Sequence, residues 1–467
     1  MKRIVITSGV ALACAIHAAT LAAASVSSPV TSTDGKLKDG TPYRIDMPQH
    51  WNGAVLIGLD YASRPPGADA AALLAEGYAM AGTTRQVSGW AIHRAAANAV
   101  ETLDLFETKY GKAALPIEFG QSQGGHTAAV SAQAYPARWR GAVVQCGGLS
   151  GAVGQWQGKL DGLFVAKALL APNASLPVTG IPDDWQKTAL PAWTAMLEEA
   201  EKTPAGRARI ALAARVAQLP EWSIPTKPEP ASGDVHARAN GLADSLVRGL
   251  ARQALSSRNQ IEHLSGGNIS ANEGVDYGAM LAAVDGDGLV RGLYREAGLS
   301  LDADLATLAK TPRLSADPKA IAYFATGTFD GNLKIPVLTM TGIGDAISPL
   351  AAQQAYQQAV DRAGKGAMLR QTYTRSAGHC GFTPAETVAG VHALVARVKS
   401  GRWPDTSAAG MTELARDTGL GEARFMAVTP PTFLRPYTAC TLDATLKSAG
   451  VPPFALPGQT LPYCAAP

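Results

Sequence analysis

Residues 120–124 read Gly-Gln-Ser-Gln-Gly and place a serine, Ser122, between glycines. They follow an apolar run at 115–119 that predicts a buried strand, and they precede an alanine-rich predicted helix at 125–134. A sharp strand-to-helix turn exposes a serine hydroxyl, and its glycines avoid side-chain clashes. The helix N-terminus adds free N–H groups where negative charge develops. The pattern predicts a nucleophilic serine, with a plain glycine-rich turn as the alternative.

Two further residues could supply the groups that activate such a serine. Asp345 follows an apolar predicted strand at 335–340, so it stands at a carboxyl end, where open α/β sheets place their active sites. His379 lies in the loop after the last predicted strand. A base takes the hydroxyl proton and a carboxylate orients that base, which makes Ser122, Asp345 and His379 the predicted catalytic triad. An Asx-turn or helix cap is the alternative for Asp345, and a surface histidine for His379.

The elements that must position these residues belong to an α/β chain. Short apolar runs alternate with helical periodicity over residues 54–145 and again over 335–401. This alternation predicts a mostly parallel sheet with helices on both faces. A hairpin with its turn at Asp39-Gly40 precedes it. Between 151 and 330 the sequence keeps only helical periods, which predicts a large helical insertion.

We therefore expect five segments. They are a signal peptide at 1–24, the first part of the α/β core at 25–150, the helical insertion at 151–330, the second part of the core at 331–402, and a proline-rich, irregular tail at 403–467.

The N-terminal segment predicts export. Lys2 and Arg3 precede an apolar stretch that ends in Ala-Ala-Ala-Ser, the small-residue pattern of a cleavage site. A transmembrane anchor is the alternative. Cys14 does not fit a lipoprotein site, because Ala11 stands where a larger aliphatic residue is expected. We expect a secreted or periplasmic protein without a membrane anchor after cleavage.

Composition excludes several classes of protein. Of 467 residues, 46% are hydrophobic and 17% charged, which excludes a disordered chain and allows a large core. A net charge of +3 without a basic block argues against nucleic acid or an anionic membrane as partner. Cysteine and histidine lack zinc-site spacing, and Asp285-Gly-Asp287 lacks the other ligands of a calcium loop. Neither a metal nor another cofactor is expected.

Four cysteines remain if Cys14 leaves with the signal peptide; they are Cys146, Cys380, Cys440 and Cys464. An even number in an oxidising compartment predicts two disulfides, and four cysteines allow three connectivities. Four unpaired buried thiols are the alternative.

The order Ser122, Asp345, His379, each after a predicted strand, resembles that of α/β-hydrolases across residues 35–150 and 330–402. Within this superfamily, residues 39–45, 51–53, 73–82 and 378–384 (Gly-His-Cys-Gly-Phe-Thr-Pro) are similar to secreted bacterial esterase-like members. The resemblance implies an α/β-hydrolase fold whose helical insertion caps the site. It also implies two-step acyl transfer, in which water hydrolyses an acyl-enzyme.

The resemblance further implies an oxyanion hole. Its donors would be the backbone N–H of Gln123 and one from the loop after the first long strand, where Tyr61 is the positional candidate. Relatives have His-Gly and an aromatic residue in this loop, whereas this chain has Leu59-Asp60-Tyr61. A carboxylate at Asp60 would oppose an oxyanion unless it is paired or points away.

In this fold Cys146 and Cys380 would share one sheet edge, so a bridge between them would tether the histidine loop. Tannase and feruloyl esterase relatives also have a cysteine after the catalytic histidine, but its partner precedes the serine, where this chain has Gln121. The remaining pair, Cys440 and Cys464, would then close a short loop in the tail.

These observations predict a secreted serine hydrolase that cleaves a small or polymeric carboxylic ester. A serine peptidase of the same fold is one alternative, and a non-catalytic binding protein on a hydrolase scaffold, motivated by Asp60, is another. Trp90 is a candidate for lining the pocket, with a place in the core as its alternative. The sequence indicates neither the substrate's identity nor the oligomeric state.

Overall fold

Nine strands form one sheet in the computed structural model, which describes residues 29–464. The strands are β1 (Val30–Lys36), β2 (Pro42–Pro48), β3 (Ala54–Leu59), β4 (Ala79–Thr83), β5 (Leu115–Gln121), β6 (Gly141–Gln145), β7 (Val337–Gly344), β8 (Leu369–Ala377) and β9 (Phe425–Met426). Their order across the sheet is β1-β2-β4-β3-β5-β6-β7-β8-β9. The pairs from β4 to β8 are parallel, and the pairs β1-β2, β2-β4 and β8-β9 are antiparallel.

Helices cover both faces of this sheet. They are α1 (Ala68–Ala75), α2 (Ile92–Tyr110), α3 (Gln123–Ala134), α13 (Ala351–Arg362) and α14 (Pro384–Ser400). In β3, Val55 and Ile57 pack with α2, α3 and α13, whereas Leu56 packs on the opposite face with α1 and α14. All three side chains are fully buried, which explains the lack of hydrophobic alternation in this strand. This architecture confirms the predicted α/β-hydrolase fold.

Residues 146–336, all of which the structure describes, separate β6 from β7 and form nine helices. These cap helices are α4 (Gly151–Leu170), α5 (Ala189–Glu201), α6 (Pro204–Val216), α7 (Val235–Asp244), α8 (Arg252–Ser265), α9 (Tyr277–Val284), α10 (Leu289–Glu296), α11 (Leu301–Lys310) and α12 (Pro318–Tyr323). They enclose an apolar cluster of their own around Trp193, Leu212 and Leu246. A π-helical turn, Ser245–Ala251, joins α7 to α8.

The tail after residue 403 is less irregular than predicted. It contains α15 (Ala408–Asp417), β9 and α16 (Ala439–Ala449). Ser407 and Thr438 cap the two helices by accepting backbone N–H groups of the first turn. The prolines between these short helices obscured their periodicity, so the prediction of an irregular tail was wrong.

The structure contains disulfides Cys146–Cys380 and Cys440–Cys464, the pairing expected if Cys146 and Cys380 share one sheet edge. The second joins the first turn of α16 to the end of the described chain. The predicted signal peptide and Cys14 lie outside the described residues. Within residues 29–464, no helix combines the length and the apolar character needed to cross a bilayer.

Candidate active site

Ser122 occupies a sharp turn between β5 and α3. Its backbone lies at φ 58° and ψ −121°, a conformation that is costly for a residue with a Cβ. A side chain at Gly120 would collide with the backbone of Gly124, so this position requires glycine. Two backbone hydrogen bonds hold the turn: the Ser122 N–H donates to the Gln145 carbonyl at 3.0 Å, and the His126 N–H donates to the Ser122 carbonyl at 3.0 Å. The predicted strand–turn–helix geometry is present.

Asp345 and His379 complete a hydrogen-bonded series with this serine. His379 Nε2 lies 2.6 Å from Ser122 Oγ, and its Nδ1 lies 2.8 Å from Asp345 Oδ2. Asp345 is fully buried, and its Oδ1 also accepts the backbone N–H groups of Ile347 and Ser348. The Asx-turn and the contact with histidine are therefore both present, because a carboxylate can accept several hydrogen bonds.

The three side chains meet because their strands end at the same edge of the sheet. Ser122 follows β5, Asp345 follows β7, and His379 lies two residues after β8. These strands are parallel, with β6 between β5 and β7, so their carboxyl ends are adjacent. The three side chains therefore lie at the edge of the sheet where open α/β sheets hold their ligands.

The Cys146–Cys380 disulfide lies next to the contact between Ser122 and His379. Cys146 directly follows β6, and its Sγ accepts the Ser122 N–H at 3.3 Å, while Cys380 is the neighbour of His379. Cys146, His379 and Cys380 form a cluster whose ligand atoms lie within 4.8 Å of one another. Both sulfurs are bonded to each other, so neither is a thiolate that could hold a metal ion.

Unusual backbone conformations concentrate at this edge. Of the five non-glycine residues with positive φ in the described range 29–464, four border the site: Asp60, Ser122, Cys146 and Cys380. Such conformations persist only where the surrounding structure holds them. Here the sheet register and the disulfide supply that constraint.

The two predicted oxyanion donors begin helical segments. Gln123 is the first residue of α3, and Tyr61 is the first of a 3₁₀ turn, Tyr61–Ser63. N–H groups in a first helical turn have no acceptor within their own helix. The Tyr61 hydroxyl donates to Asp46 at 2.6 Å, which anchors the loop, and burial with this contact raises the pKa of Tyr61.

Asp60 is paired, which answers the objection raised by its charge. Arg85 Nε donates to Asp60 Oδ1 at 2.9 Å, and its Nη2 contacts Asp60 Oδ2. The same guanidinium donates from Nη1 to Gln123 Oε1 at 2.8 Å. The pair forms because Asp60 follows β3 and Arg85 follows β4, two adjacent parallel strands. Sequence reasoning missed Arg85, although its place just beyond a predicted buried strand was a usable signal.

Two cavities meet at Ser122. The larger, of about 520 Å³, contacts Tyr61, Asp60 and Arg64. The smaller, of about 160 Å³, lies against His379 and Trp90. Trp90 also packs edge-on against the buried Trp156, with ring centroids 5.9 Å apart. This tryptophan therefore lines a cavity and also contacts an apolar cluster.

One lysine of the cap reaches the loop that carries Asp345. Lys159 of α4 is buried, and its Nζ donates to the Ile347 carbonyl at 2.9 Å. Burial lowers the pKa of Lys159 to about 8, although the negative charge of Asp345 acts in the opposite direction. No signal in the sequence pointed to this residue, because its role depends on packing between the cap helices and the sheet.

Comparisons with known proteins fit this architecture. No family model matches the chain. The o-phthalyl amidase of Xanthobacter agilis is 31% identical over 436 residues, which cover 85% of this chain and 94% of the amidase.

Among solved structures, feruloyl esterase B from Aspergillus oryzae is 15% identical with a TM-score of 0.37, over 80% of this chain and 81% of the esterase. The rice cell wall degrading esterase LipA from Xanthomonas oryzae is 10% identical with a TM-score of 0.34, over 79% and 88%. The parallel sheet, its cap and the identity to the amidase show the relationship. The chain is a hydrolase of the α/β-hydrolase superfamily and belongs to the same family as the o-phthalyl amidase of Xanthobacter agilis.

Proposed function

We propose that this chain is a serine hydrolase that cleaves carboxylic acid derivatives through an acyl-enzyme on Ser122. The observation that carries the proposal is the continuous series of contacts from Ser122 Oγ to His379 Nε2, at 2.6 Å, and from His379 Nδ1 to Asp345, at 2.8 Å. The nucleophile, the base and the group that orients the base are within hydrogen-bond reach, as this chemistry requires.

The proposed reaction has two similar halves. Ser122 Oγ attacks the carbonyl carbon while His379 Nε2 takes its proton, and Asp345 stabilises the imidazolium that forms. The N–H groups of Gln123 and Tyr61 would stabilise the oxyanion, and the imidazolium then gives its proton to the leaving group. Water attacks the acyl-enzyme by the same route and releases the acid.

The first candidate for the bond cleaved is a carboxylic ester, because an alkoxide is a better leaving group than an amide anion and an amide nitrogen stabilises its carbonyl more strongly by resonance. The second is an amide, and a specific observation favours it: the amidase relative matches 85% of this chain at 31% identity. The mechanism above applies to both bonds, since they differ only in the leaving group that His379 protonates, an alcohol for the ester and an amine for the amide.

We further propose that the protein is exported. Two disulfides are typical of an oxidising compartment, and the predicted signal peptide would deliver the chain there.

The test is fluorophosphonate labelling of the wild type and of Ser122→Ala, with the modified peptide located by mass spectrometry. We expect label on Ser122 alone, and hydrolysis of aryl-ester reporters by the wild type but not by Ser122→Ala. Ser400→Ala, which changes an exposed serine at the end of α14, is the matched control and should label like the wild type. Folded wild-type protein that takes no label and cleaves no ester would overturn the proposal in favour of the non-catalytic scaffold.

A further inference from the structure

The histidine loop, residues 378–383, is short and has a constrained backbone. It joins β8 to α14 and carries His379. Gly378 and Cys380 both have positive φ, at 83° and 57°, and a side chain at Gly381 would collide with the backbone of Ala377. A backbone of this kind persists only where its surroundings hold it. The contacts that hold the histidine loop therefore also set the position of His379.

The Cys146–Cys380 disulfide holds one side of this loop, and Arg424 holds the other. Arg424 belongs to the tail and directly precedes β9. Its Nη2 donates to the Gly381 carbonyl at 2.6 Å, two residues after His379. Its own carbonyl accepts the backbone N–H of Arg375 in β8 at 2.8 Å. The tail is thus joined both to the strand that precedes the loop and to the loop itself.

Glu386, in the first turn of α14, fixes the guanidinium of Arg424, and its side chain is fully buried. Its Oε1 accepts Arg424 Nε at 3.0 Å and the Arg424 backbone N–H at 2.7 Å, while its Oε2 accepts Arg424 Nη2 at 2.9 Å. Oε2 also accepts the N–H of Thr383, the last residue of the loop, at 2.8 Å in a capping box. Charge-assisted hydrogen bonds of this number leave the carboxylate and the guanidinium little freedom to move.

The contacts call for arginine and not for any cation. Arg424 Nη2 has two N–H groups, and it contacts Glu386 and the Gly381 carbonyl at the same time. A guanidinium presents its donors in one rigid plane, so it can bind the carboxylate as a fork and still donate to the loop. A lysine ammonium on a flexible stem can pair with the carboxylate, but it does not fix the direction of a second donor.

From these contacts we infer that Arg424 is a positioning residue for the catalytic base. It holds the histidine loop so that Nε2 of His379 stays within reach of Ser122 and its Nδ1 faces Asp345. It shares this task with the disulfide on the other side of the loop. The inference rests on the proposed function, which makes His379 the base. It also gives the tail a part in the site that neither the sheet nor the cap supplies.

The first test is steady-state kinetics of Arg424→Gln on an aryl ester. We expect kcat to fall by about 10–100-fold, because a misplacement of about 1 Å at a catalytic group costs about 10²-fold. KM should change less, because Arg424 lines neither of the two cavities at Ser122. Arg416→Gln changes an exposed arginine of α15 in the same tail and is the matched control, with the wild-type kcat expected.

Arg424→Lys separates the position of the loop from the stability of the fold. It keeps a positive charge beside the buried Glu386, so its thermal melting followed by circular dichroism should stay close to that of the wild type. It lacks the fork that reaches Gly381, so kcat should still fall by about tenfold or more. A residue with a merely structural role would lose activity only in step with stability.

The second test measures the coupling between Arg424 and the disulfide. Replacing Cys146 and Cys380 by serine removes the bridge. The loss of kcat caused by Arg424→Gln should then be about tenfold larger than it is with the bridge present, because restraints on one loop are coupled. Replacing Cys440 and Cys464 by serine removes the tail disulfide and is the matched control, in which the loss should be unchanged.

The outcomes separate this inference from the function on which it rests. A folded Arg424→Gln or Arg424→Lys with the wild-type kcat would overturn the role of Arg424 and leave the serine hydrolase intact. A loss of kcat that is the same with and without the Cys146–Cys380 bridge would do so too. If Arg424→Gln does not fold, Arg424→Lys decides. A folded wild type with neither label on Ser122 nor turnover would overturn both.

Discussion

The sheet edge and the cap helices contribute to one site in different ways. The edge supplies Ser122, Asp345 and His379 from turns whose geometry is set by the backbone: strand register, positive φ and a disulfide. The cap supplies side chains from the surfaces of helices, such as Gln155 and Ser257, and their positions depend on packing. Strand register thus fixes the positions of the three edge side chains, whereas the cap residues at the site are positioned by the packing of helices.

The two regions also have separate cores. The clusters on either face of the sheet contain its strands and their covering helices, while the cap cluster is formed by cap residues such as Trp193 and Leu197. A fourth cluster joins the two regions, because Trp156 of α4 packs there against Trp90 beside the sheet edge. Three predictions probe this difference, and the largest effect should come from the edge.

Asp345→Asn should reduce kcat by about 10⁴-fold, because an amide cannot stabilise the imidazolium and selects the wrong tautomer of the base. Asn keeps an oxygen that can accept the N–H groups of Ile347 and Ser348, so the loop should keep its shape. Steady-state kinetics on an aryl ester measures the loss, and thermal melting followed by circular dichroism checks the fold. A loss of less than tenfold in a folded variant would contradict the role of Asp345.

His126 should make the protein sensitive to acid. Burial lowers its pKa from 6.5 to about 4, so between these values the unfolded chain binds a proton that the folded chain does not. Stability should therefore fall as the pH drops from 6.5 to 4, by about 3 kcal/mol for this group.

His126→Asn should remove part of this dependence in urea unfolding measured at several pH values. The slope should be reduced and not abolished, because burial also lowers the pKa of His93 to about 4. His50→Asn, which changes an exposed histidine, is the control and should keep the full slope. An unchanged slope in His126→Asn would show that this histidine is not buried in its neutral form.

Lys159→Met should have the smallest effect, a decrease in kcat of about tenfold. Methionine keeps most of the buried volume but leaves the Ile347 carbonyl without its donor, which loosens the Asp345 loop by about 1–1.5 kcal/mol. Lys167→Met, on the same helix α4, is the matched control. A larger loss in Lys159→Met than in Asp345→Asn would invert the comparison, because the cap would then control the chemistry more strongly than the edge.

The sequence predicted the edge well because each of its residues is marked by a local pattern. Ser122 lies in a glycine-framed turn, and Asp345 and His379 follow recognisable strands. These positions need only the order of the elements and the rule that parallel strands end together.

The features that the sequence did not reveal depend on contacts between distant segments of the chain. Arg85 acquires its role from Asp60 on the neighbouring strand, and Lys159 from a loop 188 residues later in the chain. The short helices α15 and α16 were missed because nearby prolines obscure their periodicity and packing against other segments stabilises them.

The separation of β6 from β7 has a consequence for how the protein is made. These strands are neighbours in the sheet, but about 190 residues of cap lie between them in the chain. At a synthesis rate of roughly 5–20 residues per second, the ribosome needs on the order of 10–40 s to pass from one strand to the other. During that time β6 presents an unpaired edge. The cap has an apolar cluster of its own, so it is able to fold before β7 is made. When β7 follows, it then pairs with β6 without a long unfolded segment between the two strands.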